Sequence, residues 1–232
     1  IRTHETIVAA GSFDQPIVFR NNDRPGILFA TAAQRLMRLY GVRPGNRAVI
    51  ATSNAFGYEA ALDMLDAGGE VAAIVDLGTT SAPAVEAARA RGIRIVNNAT
   101  PVDAKGYLRV ESIGVAAITG QGKTSSVTDW ITFDCVLISV GSAPALNLAS
   151  HAGAKVVFDE AIQMHRAINP PVGVSLAGSA AGVWSPKLVA TQAQSTGATA
   201  ANRIKGEPAV GLPDVTDHGA AAITHPYPIF KS

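Results

Sequence analysis

One stretch of the chain has residue types and a spacing that could bind the phosphates of a dinucleotide. A dinucleotide-binding unit has the pattern G-x-G-x-x-G in the turn between its first strand and its helix. At the three glycine positions this chain has Thr52, Asn54 and Gly57. The third glycine lets helix and strand pack closely, so Gly57 preserves the fold, whereas Asn54 puts a side chain where the backbone must approach the phosphates.

Asp76 stands about 20 residues beyond this loop, where such a unit places the acidic residue that holds the ribose hydroxyls. The alternative is that Asp76 only ends a strand at the carboxyl edge of a sheet. We favour this alternative because the phosphate loop is the more demanding half of the motif. The unit is therefore predicted to be structural, or to bind a nucleotide weakly.

Hydrophobic periodicity predicts the elements that position these residues. Apolar runs at 47–51 and 70–75 flank a helical pattern at 58–68, which predicts a strand, a helix and a second strand. Residues 107–118 and 127–133 alternate apolar and polar side chains, which predicts antiparallel strands of a small meander.

Two further strand ends carry small residues. The predicted strand at 6–11 ends in Ala10 and Gly11, and Gly178, Ser179 and Ala180 begin a G-S-A-A-G turn before a helix predicted over 185–203. Small residues at strand ends let a cofactor pass close to the backbone, and the amino-terminal amides of a helix favour a phosphate. The alternative, that 178–182 is only a tight turn, stays open.

Composition narrows the function classes. The chain has 232 residues, of which 47% are hydrophobic and 16% charged, with a net charge of +1, so the charge indicates neither a nucleic-acid nor a membrane partner. Cys135 is the single cysteine, which excludes a disulfide framework and a cysteine-based metal site. The histidines have no metal-ligand spacing, and we predict neither a metal site nor a catalytic residue. They are His4, His151, His165, His218 and His225.

The order of these motifs resembles the flavoprotein reductases with two dinucleotide domains. The stretches 21–28 and 40–49, together with the loop A-T-S-N at 51–54, resemble more narrowly the alpha subunit of heterotetrameric sarcosine oxidase. The resemblance implies an α/β, Rossmann-like three-layer domain with a β-meander insert, plus part of a second dinucleotide-binding domain. The implied partition is a partial FAD/NAD-type domain, a degenerate Rossmann domain and an extended tail, at 1–30 with 145–206, at 31–144 and at 207–232.

The resemblance also implies a function. The chain would be an internal piece of a longer cytoplasmic subunit that carries noncovalent NAD and acts with a beta subunit in the oxidative demethylation of N-methylglycine. FAD and FMN would sit on or with the partner subunit, and tetrahydrofolate would bind only through a carboxyl-terminal domain beyond this segment. Ala10, Gly11, Gly178, Ser179 and Ala180 would share the NAD with an amino-terminal region. Reductases have Asp at the position of Ser179, which argues against ordinary FAD binding here.

Two other interpretations remain open. The degenerate unit could be a non-catalytic scaffold for subunit contacts, which suits the low charge and the proline-rich tail. The chain could instead come from the reductase subunit of an opine or proline dehydrogenase, although that interpretation predicts better-preserved glycines at 52 and 54. In each case we expect the isolated piece to be inactive.

Overall fold

The computed structural model describes residues 2–160 and 164–211. Within these ranges the chain forms two compact units, one of residues 14–141 and one of residues 2–13, 142–160 and 164–211. His218, His225 and positions 212–232 of the predicted tail lie outside the described residues. Among the helices of the described ranges, none is both long and apolar enough to cross a membrane.

Strands and helices alternate from Ile27 to Val96, and most of the remaining elements are strands. The strands are β1 (Thr6–Val8), β2 (Ser12–Asp14), β3 (Ile27–Phe29), β4 (Arg47–Thr52), β5 (Glu70–Asp76), β6 (Ile95–Val96), β7 (Ala99–Lys105), β8 (Ser112–Gly120), β9 (Lys123–Thr132), β10 (Cys135–Ser139), β11 (Ser142–Pro144), β12 (Lys155–Asp159), β13 (Met164–Ile168) and β14 (Val174–Leu176). The helices are α1 (Ala30–Tyr40), α2 (Ala55–Asp66), α3 (Pro83–Ala90), α4 (Asn147–Ala152) and α5 (Pro186–Lys205).

A five-stranded parallel sheet is the centre of the 14–141 unit. Its strand order is β3-β10-β4-β5-β6. The middle strands are buried apolar runs, as expected for a parallel sheet covered on both faces. The chain leaves β4 through α2 towards β5 on one side, while β10 lies on the other. This switch in direction, at the carboxyl ends of β4 and β10, is where open α/β sheets bind ligands.

The two faces of this sheet are covered by different layers. Helices α1, α2 and α3 cover one face, where Ile50, Tyr58 and Leu137 belong to one buried cluster. The meander β7-β8-β9 covers the other, where Val49 and Ile113 belong to a second cluster. Helix layer, parallel sheet and meander make three layers, and the predicted Rossmann-like α/β class is confirmed.

Local expectations differ from the structure at two places. The meander has three strands, because residues 99–105 form the unpredicted strand β7, whose register shifts between Pro101 and Asp103. Ser81 has the residue type that favours an N-cap position, yet the N-cap residue of α3 is Ala82 and no side chain caps this helix. A proline at the first turn preorganises such a helix start without a cap.

The second unit is built from smaller sheets and one long helix. Strands β1 and β14 pair in parallel, and strands β12 and β13 pair antiparallel. Helix α5 has Ser185 as its N-cap residue and Pro186 at its start, and it ends at Gly206 in the left-handed conformation. The helix predicted over 185–203 is therefore confirmed to within two residues at its carboxyl end. The assignment of the two units to NAD-type and FAD-type domains stays a prediction.

Candidate dinucleotide sites

The first candidate site is the loop between β4 and α2. Thr52 ends β4 and is fully buried, and Asn54 is the N-cap residue of α2. The Thr52 hydroxyl lies 2.9 Å from the carbonyl oxygens of both Asn54 and Ser139, and it accepts the Asn54 N–H at 3.1 Å. These bonds hold the loop against the end of β10.

Gly57 is required by the packing of α2 on β4. A Cβ at this position would overlap Oγ1 and Cβ of Thr52 and lie 3.1 Å from its Cγ2. The overlap is with the root of a buried side chain, which cannot move aside cheaply. Gly57 thus has the role of the third glycine of a dinucleotide loop, close helix–strand packing.

Asn54 occupies the amino terminus of α2 with its own side chain. Its Oδ1 accepts the Phe56 N–H at 3.1 Å and the Ser139 hydroxyl at 2.9 Å. The first-turn amides of a helix are the donors that a bound phosphate would need. Here one of them already has a protein acceptor, in the N-cap arrangement typical of Asn.

Asp76 is buried and accepts three hydrogen bonds from the protein. The Tyr58 hydroxyl donates to its Oδ2 at 2.7 Å, the Thr80 N–H donates to the same oxygen at 3.0 Å, and the Gly78 N–H donates to Oδ1 at 2.9 Å. Burial raises the pKa of Tyr58 well above its ordinary value, and the hydrogen bond to Asp76 raises it further. The phenol therefore stays protonated and donates.

The apolar spacing that predicts the helix at 58–68 includes Tyr58 but does not predict its bond to Asp76. The ring does lie in the helix-side cluster and is almost fully buried. A buried tyrosine hydroxyl needs a partner. Asp76, a carboxylate at the end of β5, was therefore the sequence feature from which the Tyr58–Asp76 bond could have been predicted.

The second candidate site is the carboxyl edge of β1 and β14. Because these strands are parallel, with Val8 opposite Leu176, the segments that follow them leave the sheet at the same edge. The Ala177 N–H donates to the Val8 oxygen at 3.0 Å and continues the pairing. Both Gly11 and Gly178 have left-handed backbone angles, with φ of 78° and 65°, which favour glycine. The structure thus brings together segments that are far apart in the sequence.

The turn after β14 differs from expectation. Residues Gly178–Ala181 form a 3-10 turn that ends at Gly182, and α5 starts only at Pro186. The expectation that the Gly178 turn opens the long helix is therefore wrong. The Gly178 N–H donates at 2.8 Å to Oε1 of Gln192, a residue of α5 that is only 7% exposed. Gln192 thus anchors this turn to the helix.

Other reactive groups are accounted for by packing or pairing. Three arginines lie in ion pairs, Arg89 with Glu86, Arg91 with Asp66 and Arg94 with Asp129. Burial, aided by Asp134, raises the pKa of Cys135 to about 12, so its thiol is inert. In residues 2–160 and 164–211, no group of three or more His, Cys, Asp or Glu side chains could hold a metal ion.

Comparison with known proteins shows which proteins the chain is similar to. No protein-family model matches the chain. Sarcosine oxidase subunit alpha of Corynebacterium sp. (strain P-1) is 33% identical over 205 residues, or 87% of this chain and 21% of that subunit. The same subunit of Rhizobium meliloti (strain 1021) is 32% identical over 177 residues, or 76% of this chain and 17% of that subunit. The chain thus spans about a fifth of the length of these relatives.

Solved structures show the same fold at lower identity. L-proline dehydrogenase from P. horikoshii has a TM-score of 0.64 at 18% identity, covering 88% of this chain and 35% of its own. Thioredoxin reductase from T. acidophilum has a TM-score of 0.57 at 19% identity, covering 77% of this chain and 57% of its own. Both are oxidoreductases by name. The resemblance seen in the motifs is confirmed, and the chain is related to a segment of the sarcosine oxidase alpha subunit.

Proposed function

We propose that the chain forms part of the NAD-carrying alpha subunit of an oxidoreductase of the sarcosine oxidase type, which oxidatively demethylates N-methylglycine. The observation that carries this proposal is the similarity to three sarcosine oxidase alpha subunits at 29–33% identity over most of the chain. The subunit would act with a beta subunit in the cytoplasm. FAD and FMN would lie on or with that partner, and tetrahydrofolate would bind through a domain beyond this segment.

The proposed NAD position is the carboxyl edge of β1 and β14. Ala10 and Gly11 would form one side and Gly178, Ser179 and Ala180 the other, with the remaining wall supplied by sequence outside this chain. The residues present fit a dinucleotide, because a Cβ at Gly11 would have no protein atom within 4 Å and so leaves room for close approach. A bound NAD would supply a nicotinamide ring able to exchange hydride. This chain's own residues would bind and orient it.

Ser179 bears on the identity of the cofactor. It lies in the 3-10 turn and is partly exposed at this edge. A hydroxyl there can donate or accept a hydrogen bond without the negative charge of a carboxylate. This neutral side chain supports NAD over FAD at the edge.

The test is release and identification of nucleotide from the purified, intact protein. We expect denaturation to release about one NAD per chain, identified by its mass. The variant Gly11→Ala should lose most of it, because the new methyl group lies where the cofactor would pass. Gly206→Ala is the matched control, since Gly206 has a similar φ of 74°, has no protein atom near its missing Cβ and lies at the end of α5. Equal NAD content in both variants, or none in the unmodified protein, would contradict the proposal.

A further inference from the structure

The 14–141 unit has the sheet and the helix of a dinucleotide-binding domain, yet its ligand positions are filled by the protein. The switch in strand order places the ends of β4 and β10 where a nucleotide would bind in this fold. We infer that this site is closed by the side chains of Asn54, Tyr58 and Asp76, and that the 14–141 unit binds no pyridine nucleotide. The inference concerns a different unit from the proposed NAD position and does not rest on it.

The phosphate position is closed at the amino terminus of α2. A pyrophosphate needs backbone amides that face it without a side chain between. The Asn54 side chain stands there and already accepts the Phe56 N–H, while its second bond, from the Ser139 hydroxyl, fixes its orientation. Asn54 is 3% exposed. A phosphate would have to displace this cap.

The ribose position is closed at the end of β5. A carboxylate that binds a ribose must have acceptor positions facing the ligand. Asp76 has no exposed surface, and its bonds from Tyr58, Gly78 and Thr80 occupy both of its oxygens. Because Tyr58 belongs to α2, its hydroxyl ties the helix that carries the loop to the strand that carries the carboxylate. A ribose would have to replace this buried phenol.

These bonds reproduce within the protein the contacts that a nucleotide would supply. Asn54 provides the acceptor that a phosphate oxygen would provide, and Tyr58 provides the donor that a ribose hydroxyl would provide. The unit therefore keeps its fold without a ligand. Its role in the larger protein is that of a preformed scaffold.

Hydrogen–deuterium exchange on the intact protein tests this directly. The probe is NAD⁺ at about 1 mM, the upper end of ordinary KM values, so that weak binding would also be detected. We expect the amides of residues 53–57 and 77–80 to exchange at the same rate with and without NAD⁺. Slower exchange at Phe56 and Gly57 in the presence of NAD⁺ would overturn the inference, whatever happens at Gly11 and Gly178.

A variant tests the role of the Tyr58–Asp76 bond. Tyr58→Phe keeps the buried ring and removes only the donor to Asp76. We expect the amides of Gly78 and Thr80 to exchange about tenfold faster, since leaving a buried acceptor short of a donor weakens the native state. Tyr40→Phe is the matched control, because Tyr40 is 67% exposed at the end of α1 and should show no change. Equal exchange in the two variants would contradict the assigned role, and the NAD⁺ measurement decides the inference even if Tyr58→Phe fails to fold.

Discussion

Replacing Gly57 with Ala should destabilise the 14–141 unit by about 2 kcal/mol. The added methyl group would overlap the Oγ1 and Cβ atoms of buried Thr52. Overpacking of this kind costs about 1–3 kcal/mol, and a clash with the root of a side chain belongs at the upper end. Against this, alanine stabilises a helix interior by about 1 kcal/mol relative to glycine. The difference is a net loss of about 2 kcal/mol.

Native-state hydrogen exchange is the suitable assay, because a chain with two units need not unfold in a single transition. A loss of about 2 kcal/mol corresponds to amides of β4 and α2 that exchange about 30-fold faster. Gly197→Ala is the matched control, since Gly197 lies inside α5 and a Cβ there would meet no atom within 4 Å. It should stabilise its unit by about 0.5–1 kcal/mol. If Gly57→Ala were as stable as the unmodified protein, the close-packing role of Gly57 would be refuted.

Three further predictions follow from particular side chains. Gln192→Ala should destabilise its own unit by about 1–3 kcal/mol, because it leaves the Gly178 N–H without its acceptor. Gln194 is exposed, so Gln194→Ala is the control and should change native-state hydrogen exchange little; equal effects of the two substitutions would contradict this. Burial disfavours the Asp134 carboxylate, but the backbone N–H groups of Asn46 and Arg47 donate to it at the start of β4 and, together with the charge of Arg109, lower its pKa. The Asp134 carboxylate therefore stabilises the folded state fully above the ordinary carboxyl pKa of about 4, and this stabilisation is lost as pH falls through the lowered pKa. Asp134→Asn should therefore make the free energy of unfolding fall less steeply as pH is lowered. An unchanged pH dependence in the variant would refute the assignment. Finally, a thiol reagent at neutral pH should label Cys135 only after unfolding, because burial raises its pKa to about 12; rapid labelling of the native protein would be incompatible with that burial.

The elements with a strong periodic signal were predictable from the sequence. For α1 (Ala30–Tyr40) the signal is its apolar spacing and the following Gly41, which ends the helix with a φ of 62°. The strand–helix–strand unit around Gly57 followed from the length of its apolar runs and from the surviving third glycine. These signals are local, so they do not depend on distant parts of the chain.

Strand β7 and the closed β4–α2 loop depend on contacts between residues that are distant in the sequence. Strand β7 escaped prediction because Pro101 interrupts its pattern, and only pairing with β8 makes it a strand. The closure of the phosphate position in the loop between β4 and α2 could not be predicted from the residues of that loop alone. Its closure depends on Ser139, 85 residues from Asn54, and on Tyr58, a residue whose type and position also suit simple core packing.

The most direct test compares both candidate sites in one experiment. The intact protein would be stripped of nucleotide and its hydrogen–deuterium exchange measured before and after NAD⁺ is added back. We predict slower exchange around Gly11 and Gly178 and no change at Phe56 and Gly57. Protection at Phe56 and Gly57, with none around Gly11 and Gly178, would contradict the account and place the cofactor in the other unit.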